Sequence, residues 1–390
     1  MAKKFKLPKG FGFPKIISFL KKGKERDRCI EETPLEVVKP SLTNVNAELL
    51  HPKNVSCLVT GMIPLGEKAF AYILEHDDAF PFFRAGQYVN VHLHDGKAIL
   101  SRPISIISSP LEALDGHMMI AIGRNEEGYF SAKAEKLIQV GKPLEISAPS
   151  GQFYYSSLRD ENHVIAVAGG IGITPFLSMA RAIKEGSEDF LLTIIYCAKS
   201  RKDAIFLDEI AGICTNNDKL NYLFLDESKG QLITKDIILQ NAGNEPYSLF
   251  VCGPQGMYNY LDQVANELGL DQRHYRKEIF GSVRDINRLP QYPGCDKEKV
   301  SLIIHCLEET YRIEALTSEP ILYALERIGI ASPQRCRGGV CGYCRGKIIQ
   351  GEVFVPSLGD GRRSQDKKKG YAHLCMTYPL SDCEILISAN

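Results

Sequence analysis

The chain has 390 residues, 47 Lys and Arg against 47 Asp and Glu, a formal net charge of zero and 44% hydrophobic residues. That length predicts two or three domains, each with its own core, and the even charge gives no global argument for nucleic-acid binding. No apolar run approaches the roughly 18 residues of a membrane helix, and twelve Cys without a secretory leader predict reduced thiols in a soluble, cytoplasmic setting.

Residues 1–52 read as a basic N-terminal extension. Lys3, Lys4, Lys6, Lys9, Lys15, Lys21, Lys22, Lys24, Arg26 and Arg28 face only Glu25 and Asp27, with Phe5, Phe11, Phe13 and Phe19 between them. The pattern suits peripheral contact with an anionic membrane, or equally a solvated arm on its own protein.

Residues 53–157 read as short strands separated by turn signals. Val55 to Thr60, Ala69 to Glu75, Tyr88 to Leu93, Ile104 to Ile107, Met118 to Ile122 and Leu144 to Ile146 predict a small antiparallel β-barrel, interrupted by a helix at Ser131 to Ile138. Two pieces bear on chemistry. Ser101-Arg102-Pro103-Ile104-Ser105 stands at a predicted strand start and supplies a cation that can fork onto phosphate oxygens. Gly128-Tyr129-Phe130-Ser131 opens the helix, where free N–H groups and the helix dipole favour an anion. Taken alone, each piece is as well explained by an ordinary capped helix or strand.

Residues 158–281 alternate apolar runs with amphipathic helices, which predicts a Rossmann-like parallel α/β domain. The strand Val164 to Ala168 runs into Gly169-Gly170-Ile171-Gly172-Ile173-Thr174-Pro175 and then a helix that Gly186 stops. This departs from G-x-G-x-x-G but shares its physics, a backbone able to approach a pyrophosphate at a helix start. Strands follow at Leu191 to Tyr196, Leu220 to Leu225 and Ser248 to Val251, the last ending in Cys252-Gly253-Pro254. Residues 282–298, with Arg284, Arg288, Pro290, Pro293 and Gly294, read as a linker.

In residues 299–390, Val300 to Cys306 and Tyr311 to Leu316 predict a hairpin, and Pro320 opens a helix carrying Ile321, Leu322, Leu325 and Ile328. Then comes Cys336-Arg-Gly-Gly-Val-Cys341-Gly-Tyr-Cys344, answered by Cys375. C-x4-C-x2-C with a distant fourth Cys is the ligand spacing of plant-type [2Fe-2S] ferredoxins. A structural zinc site more often uses two paired C-x2-C knuckles. The other eight Cys (Cys29, Cys57, Cys197, Cys214, Cys252, Cys295, Cys306, Cys383) lack tight ligand spacing, and most read as small core hydrophobes.

On these residues the chain, from about residue 53 onward, resembles the ferredoxin-NAD(P)H reductase superfamily fused to a C-terminal plant-type ferredoxin domain. That order is like the reductases of hybrid cluster protein and of multicomponent oxygenases. The resemblance implies an antiparallel flavin-binding β-barrel, a parallel α/β nucleotide domain and a β-grasp ferredoxin domain. It further implies that Arg102, Pro103, Ile104 and Ser105 form the flavin motif, and that Gly128, Tyr129, Phe130 and Ser131 grip the pyrophosphate of FAD, with Ile122 nearby and FMN the alternative. Phe82 to Tyr88 looks like the barrel signature F-x-x-G-Q-Y.

Gly169, Gly170, Gly172, Thr174 and Pro175, with Cys252, Gly253, Pro254 and Met257, form the implied nicotinamide site. Cys252, Glu278 and Phe280 are the candidates beside the reacting ring, and Cys336, Cys341, Cys344 and Cys375 are the implied cluster ligands. Ile104 departs from the usual aromatic and resembles the electron-transfer subunit of dihydroorotate dehydrogenase. Asp226-Glu227 favours NADH, whereas Lys199, Arg201 and Lys202 would favour NADPH.

The implied activity is hydride transfer from NADH to flavin, then single electrons through the cluster to a partner redox protein. The alternatives are a subunit of a larger oxidoreductase complex and a ferredoxin-like carrier. Arg335, Arg337, Arg345, Arg362, Arg363, Lys367, Lys368 and Lys369 around the ligands suit an acidic partner, or an ordinary solvated face.

Overall fold

The computed structural model describes residues 13–32, 54–125, 128–271, 273–283 and 285–387. The chain divides into two compact units, Met1–Leu50 and His51–Asn390. In the first, helix α1 spans Phe13–Glu32, with Pro14 in its opening turn, where proline costs no hydrogen bond. Lys21, Lys22, Lys24, Arg26 and Arg28 are exposed on it, while Lys3, Lys4, Lys6, Lys9, Phe5 and Phe11 lie outside the described residues.

The second unit opens with β1 (Val55–Leu65), β2 (Ala69–Glu75), β3 (Tyr88–Asp95), β4 (Ala98–Ser105), α2 (Pro110–Leu114), β5 (His117–Gly123), α3 (Tyr129–Leu137) and β6 (Pro143–Ile146). The strands form a six-stranded antiparallel sheet in the order β4-β3-β6-β1-β2-β5. An Ile106–Ile120 bridge joins its two ends into a barrel. Alternate residues such as Val89, Val91 and Leu93 point into its core. The strand expected to begin at Ile104 begins at Ala98, so Arg102 and Pro103 lie in mid-strand. Strand β4 stands at the end of the hydrogen-bonded order, a position that tolerates a proline.

There follow β7 (His163–Gly169), α4 (Thr174–Lys184), β8 (Leu191–Ala198), α5 (Leu207–Cys214), β9 (Leu220–Asp226), α6 (Lys235–Ala242), β10 (Tyr247–Cys252), α7 (Gln255–Glu267) and β11 (Tyr275–Glu278). Their sheet is parallel throughout, in the order β11-β10-β7-β8-β9. Val164, Ile165, Ala166, Val167 and Ala168 are fully buried, because helices cover both faces of a parallel sheet. Ala69, Ala71, Ala85, Ile107 and Ala121 of the barrel share one core cluster with this sheet and α4.

The last domain has β12 (Lys299–Cys306), β13 (Glu309–Leu316), α8 (Ile321–Arg327), β14 (Arg345–Gln350), β15 (Val353–Phe354), α9 (Ser364–Lys368), β16 (Tyr371–His373), β17 (Tyr378–Pro379) and β18 (Cys383–Ile387). Its main sheet runs β13-β12-β18-β14-β16, with β12 and β18 parallel and α8 packed into the same core, a β-grasp arrangement. Two expectations change here. Ile328, assigned to the apolar face, is the exposed C-cap of α8. The linker is no free tether: Val283 and Ile286 are buried in the ferredoxin core, and Leu289 and Tyr292 pack against it. Irregularly spaced apolar residues can strap onto a core without any periodicity for a sequence reading to find. Arg284 lies outside the described residues.

Candidate redox site

Arg102 points out of β4 toward the ferredoxin domain. Its Nη1 donates to Ser101 O at 2.8 Å and to Glu326 Oε2 at 2.9 Å, and the guanidinium lies 5.4 Å from the centre of the Phe130 ring. Phe130 is in the first turn of α3, whose N-cap Gly128 is extended and contributes no side-chain cap bond. Ser131 Oγ turns back and donates to Asn125 O at 2.9 Å, and a Cβ on Gly128 would stand 2.5 Å from it. A partly buried cation and an uncapped helix start thus lie side by side, which fits a phosphate-bearing flavin. Tyr129 is exposed beside them. Pro103 and Ser105 continue β4, Ser105 opposite Tyr88. Ile104 packs on the barrel core, where Ile122 is buried.

At the carboxyl ends of the parallel strands, two glycine turns meet backbone to backbone. Gly170, at φ +54°, opens a short 3-10 turn that leads into α4. A Cβ on Gly172 would lie 2.1 Å from Cys252 O, and one on Gly169 would meet Pro254 at 2.6 Å and Met257 at 2.7 Å. One on Gly253 would lie 2.8 Å from the Met257 sulfur. Thr174 Oγ1 donates to Ile171 O at 3.0 Å, and Pro175 sits in the first helical turn. Only glycine lets the two turns pack this closely, and beside Gly170 the backbone lies open, with nothing within 4 Å of a built Cβ, as the approach of a pyrophosphate requires.

Cys252 and Glu278 end adjacent strands in register. Burial pushes the Cys252 thiol far up, so it stays protonated, and Tyr258 bonds to it. Burial likewise raises the Glu278 carboxyl well above its usual range, and its Oε2 takes no hydrogen bond among the described residues. Asp226 ends β9 and accepts from Ser228 N at 3.1 Å and from the Arg201 N–H. The Arg201 guanidinium turns to Asp208 at 2.7 Å.

The four thiols come together in two pairs, Cys336 with Cys341 and Cys344 with Cys375, each pair in hydrogen-bond contact. Among the described residues no three His, Cys, Asp or Glu side chains converge on one ion. A zinc centre needs four donors around one point, whereas a rhomb of two irons is held at each end by two. The donor set therefore fits the cluster.

Glycine shapes the loop. Gly339 is at φ +78°, where a Cβ would lie 1.9 Å from Gly359 O, and a Cβ on Gly338 would lie 2.6 Å from Ile279 O. Cys336, Cys344 and Cys375 are buried, and Cys341 is exposed at the rim of a cleft of about 690 Å³ lined by Arg345, Arg363, Asp366 and His373.

The basic surround is altered by folding. Arg337 is 1% exposed and points inward, its Nη1 donating to Glu326 Oε1 at 2.7 Å and its Nη2 to Oε2 at 3.0 Å. Arg345 pairs with Asp366, and Arg362 and Lys367 both pair with Asp360. Arg335 stacks on Tyr343, while Arg363 and Lys368 are exposed. Sequence reasoning missed Glu326, Tyr323 and the role of Tyr88. One signal was available for Glu326: it stands one helical turn after buried Leu322, on the buried face of α8.

A barrel with an anion cradle, a parallel sheet with paired glycine turns and a β-grasp domain with four paired thiols define a three-module flavin, nicotinamide and iron-sulfur oxidoreductase. Three family models match in that order: an oxidoreductase FAD-binding domain over residues 66–155, an oxidoreductase NAD-binding domain over 166–263, and a 2Fe-2S iron-sulfur cluster binding domain over 304–380. The chain belongs to the ferredoxin-reductase-type oxidoreductases that join these three domains.

The glycine betaine monooxygenase reductase subunit of Chromohalobacter salexigens is 26% identical, over 85% of this chain and 94% of its own length. The vanillate O-demethylase oxidoreductase of a Pseudomonas species is 28% identical, over 70% of this chain and 80% of its own. In fold, the chain matches phthalate dioxygenase reductase with a TM-score of 0.65 at 19% identity, over 86% of this chain and 98% of the other.

Proposed function

We propose that this protein is the NADH-dependent reductase component of a multicomponent oxygenase, delivering electrons to a separate oxygenase. The observation that carries the reading is convergence at one junction. Gly338 of the thiol loop abuts Ile279 O, and the neighbouring Phe280 meets Tyr88 of the barrel. The first relative named above is the reductase subunit of a glycine betaine monooxygenase, and the second is a vanillate O-demethylase oxidoreductase.

In this reading a bound FAD would supply hydride acceptance from NADH, and a [2Fe-2S] cluster would supply single-electron transfer onward. Arg102 and the start of α3 hold the flavin phosphates, with Ser105 and Ile104 along the ring. Gly169 to Pro175, Gly253, Pro254 and Met257 hold the nicotinamide dinucleotide, and Asp226 favours NADH. Cys336, Cys341, Cys344 and Cys375 would hold the cluster. Cys252 packs as a protonated thiol. The domains run 53–157, 158–281 and 299–390, with 282–298 as a strap.

Exposed Cys341 and its cleft are the exit for electrons, and the exposed cations Arg363 and Lys368 favour an acidic partner. The basic helix α1 makes peripheral contact with anionic lipid. Among the described residues no helix is long and apolar enough to cross a membrane.

The test is anaerobic mixing with NADH. The reading requires the flavin to bleach first and the cluster to follow, with NADH-driven reduction of a co-purifying oxygenase. A flavin that NADH does not bleach would sink it. Co-sedimentation with anionic vesicles at low salt, unchanged by deleting residues 1–52, would remove the membrane role alone.

A further inference from the structure

One buried carboxylate links the flavin motif to the cluster loop. Glu326, 2% exposed on α8 of the ferredoxin domain, accepts from Ser101 N of the barrel at 3.0 Å and from Arg102 Nη1 at 2.9 Å. On its own domain it accepts from both Arg337 Nη groups, at 2.7 and 3.0 Å, and from Gln334 Nε2 at 3.3 Å. The two guanidinium groups flank the Tyr323 ring, 4.7 and 4.6 Å from its centre, and the Tyr323 hydroxyl meets Ser282 Oγ at 3.0 Å.

We propose that Glu326 is the positioning residue that seats the ferredoxin domain on the barrel and thereby sets the flavin-to-cluster spacing. The proposal rests on the electron-transfer reading above. Its physical basis is charge. Arg102, with 14% of its side chain exposed, and the fully buried Arg337 are like charges at this junction, and Glu326 is the carboxylate that both of them bond. With glutamine in its place, the two cations would lose the carboxylate that offsets their like charges across the interface.

Arg337 stands between ligands Cys336 and Cys341 with a left-handed backbone at φ +55°. That conformation is uncommon for a non-glycine residue, and the side chain leaving it is held by both oxygens of Glu326. Undocking at Glu326 therefore carries the ligand loop away from the barrel together with its own domain. Glu326 also takes the Ser101 N–H on β4, which leaves the end strand of the barrel satisfied by the docked domain.

The experiment compares wild type with Glu326→Gln as full-length holoprotein. NADH is the two-electron reductant, the flavin accepts the hydride, and the cluster takes electrons one at a time. In the variant, flavin bleaching is expected to keep its rate within about twofold and cluster reduction to slow by about tenfold or more, because an undocked cluster is no longer held in position beside the flavin. The EPR spectrum of the dithionite-reduced cluster is expected to stay as in wild type. Small-angle scattering, which needs no electron flow, is expected to show a larger radius of gyration.

Equal slowing of both phases, wild-type cluster reduction or an unchanged radius of gyration overturns the proposal. Should Glu326→Gln fail to hold iron, Glu326→Asp takes its place; it keeps the charge but shortens the reach, and is expected to show the same selective slowing. Loss of iron there too overturns the positioning role in favour of a purely structural one. A wild-type protein whose flavin bleaches but whose cluster stays oxidised refutes the function itself, whatever the scattering shows for Glu326.

Discussion

The ring of Phe280 meets the ring of Tyr88 edge-on, with centroids 5.1 Å apart and planes at 82°. Phe280 follows the last strand of the parallel sheet and Tyr88 opens β3, so the pair closes the seam between nucleotide domain and barrel. Aromatic pairs contribute about 0.5–1.5 kcal/mol beyond area burial, so Phe280→Ala should weaken flavin binding by about two- to tenfold. Fluorescence titration of the apoprotein with FAD measures this, and an unchanged Kd would place Phe280 away from the flavin.

The pairing of the thiols makes a second prediction. Cys344 and Cys375 contact each other, as do Cys336 and Cys341. Removing either partner by Cys344→Ala or Cys375→Ala should drop iron content from about two per chain toward zero and abolish the reduced-cluster EPR signal. Flavin content and NADH–ferricyanide activity should persist, because the flavin accepts the hydride upstream of the cluster. Cys252→Ser should leave iron untouched, since Cys252 ends β10 in another domain.

On the proposed reading, nucleotide choice turns on Asp226. Its carboxylate accepts from Ser228 N and from the Arg201 N–H, tying together the loops after β9 and β8. A fixed carboxylate there repels a 2'-phosphate. Asp226→Ala should lower the ratio of kcat/KM for NADH over NADPH by about tenfold, equivalent to about 1.4 kcal/mol. Part of any loss with NADH would come from the broken cap, worth about 1 kcal/mol, so the ratio is the quantity to measure.

Acid should undock the ferredoxin domain. Burial acts to raise the Glu326 carboxyl, but Arg337 and Arg102 outweigh it and hold it below the ordinary carboxylate range. The charged or titratable groups facing it are Arg102 on β4, Arg337 on the ligand loop, Tyr323 on its own helix and His92 on β3. A depressed folded-state pKa contributes stability that is complete above the unfolded-state value and is lost as pH falls through the folded one. Docking followed by small-angle scattering should therefore be constant near neutrality and fail only below the normal Glu range. Glu326→Gln should be undocked at every pH. Breaking a buried pair by removing one partner typically costs about 3–5 kcal/mol, enough to open an interface between domains.

The chemistry of this protein was legible where it is local. Cys336, Cys341 and Cys344 lie within one loop, so their spacing alone pointed to an iron-sulfur domain, and the glycines from 169 to 172 announce a backbone that must lie close to something. The run of small and branched residues from Val164 to Ala168 declares a strand buried on both faces. What only the tertiary structure decided is long-range. Arg102 and Glu326 are separated by 224 positions, and no periodicity links a strand in one domain to a helix in another. Arg337 reads as one of many surface cations until α8 supplies the carboxylate that draws it inside. Local pattern therefore specified the modules and their chemistry, because hydrogen-bond geometry and ligand spacing act over a few residues. Packing between modules decided how those chemistries are joined, because it depends on which distant charges the finished fold buries together.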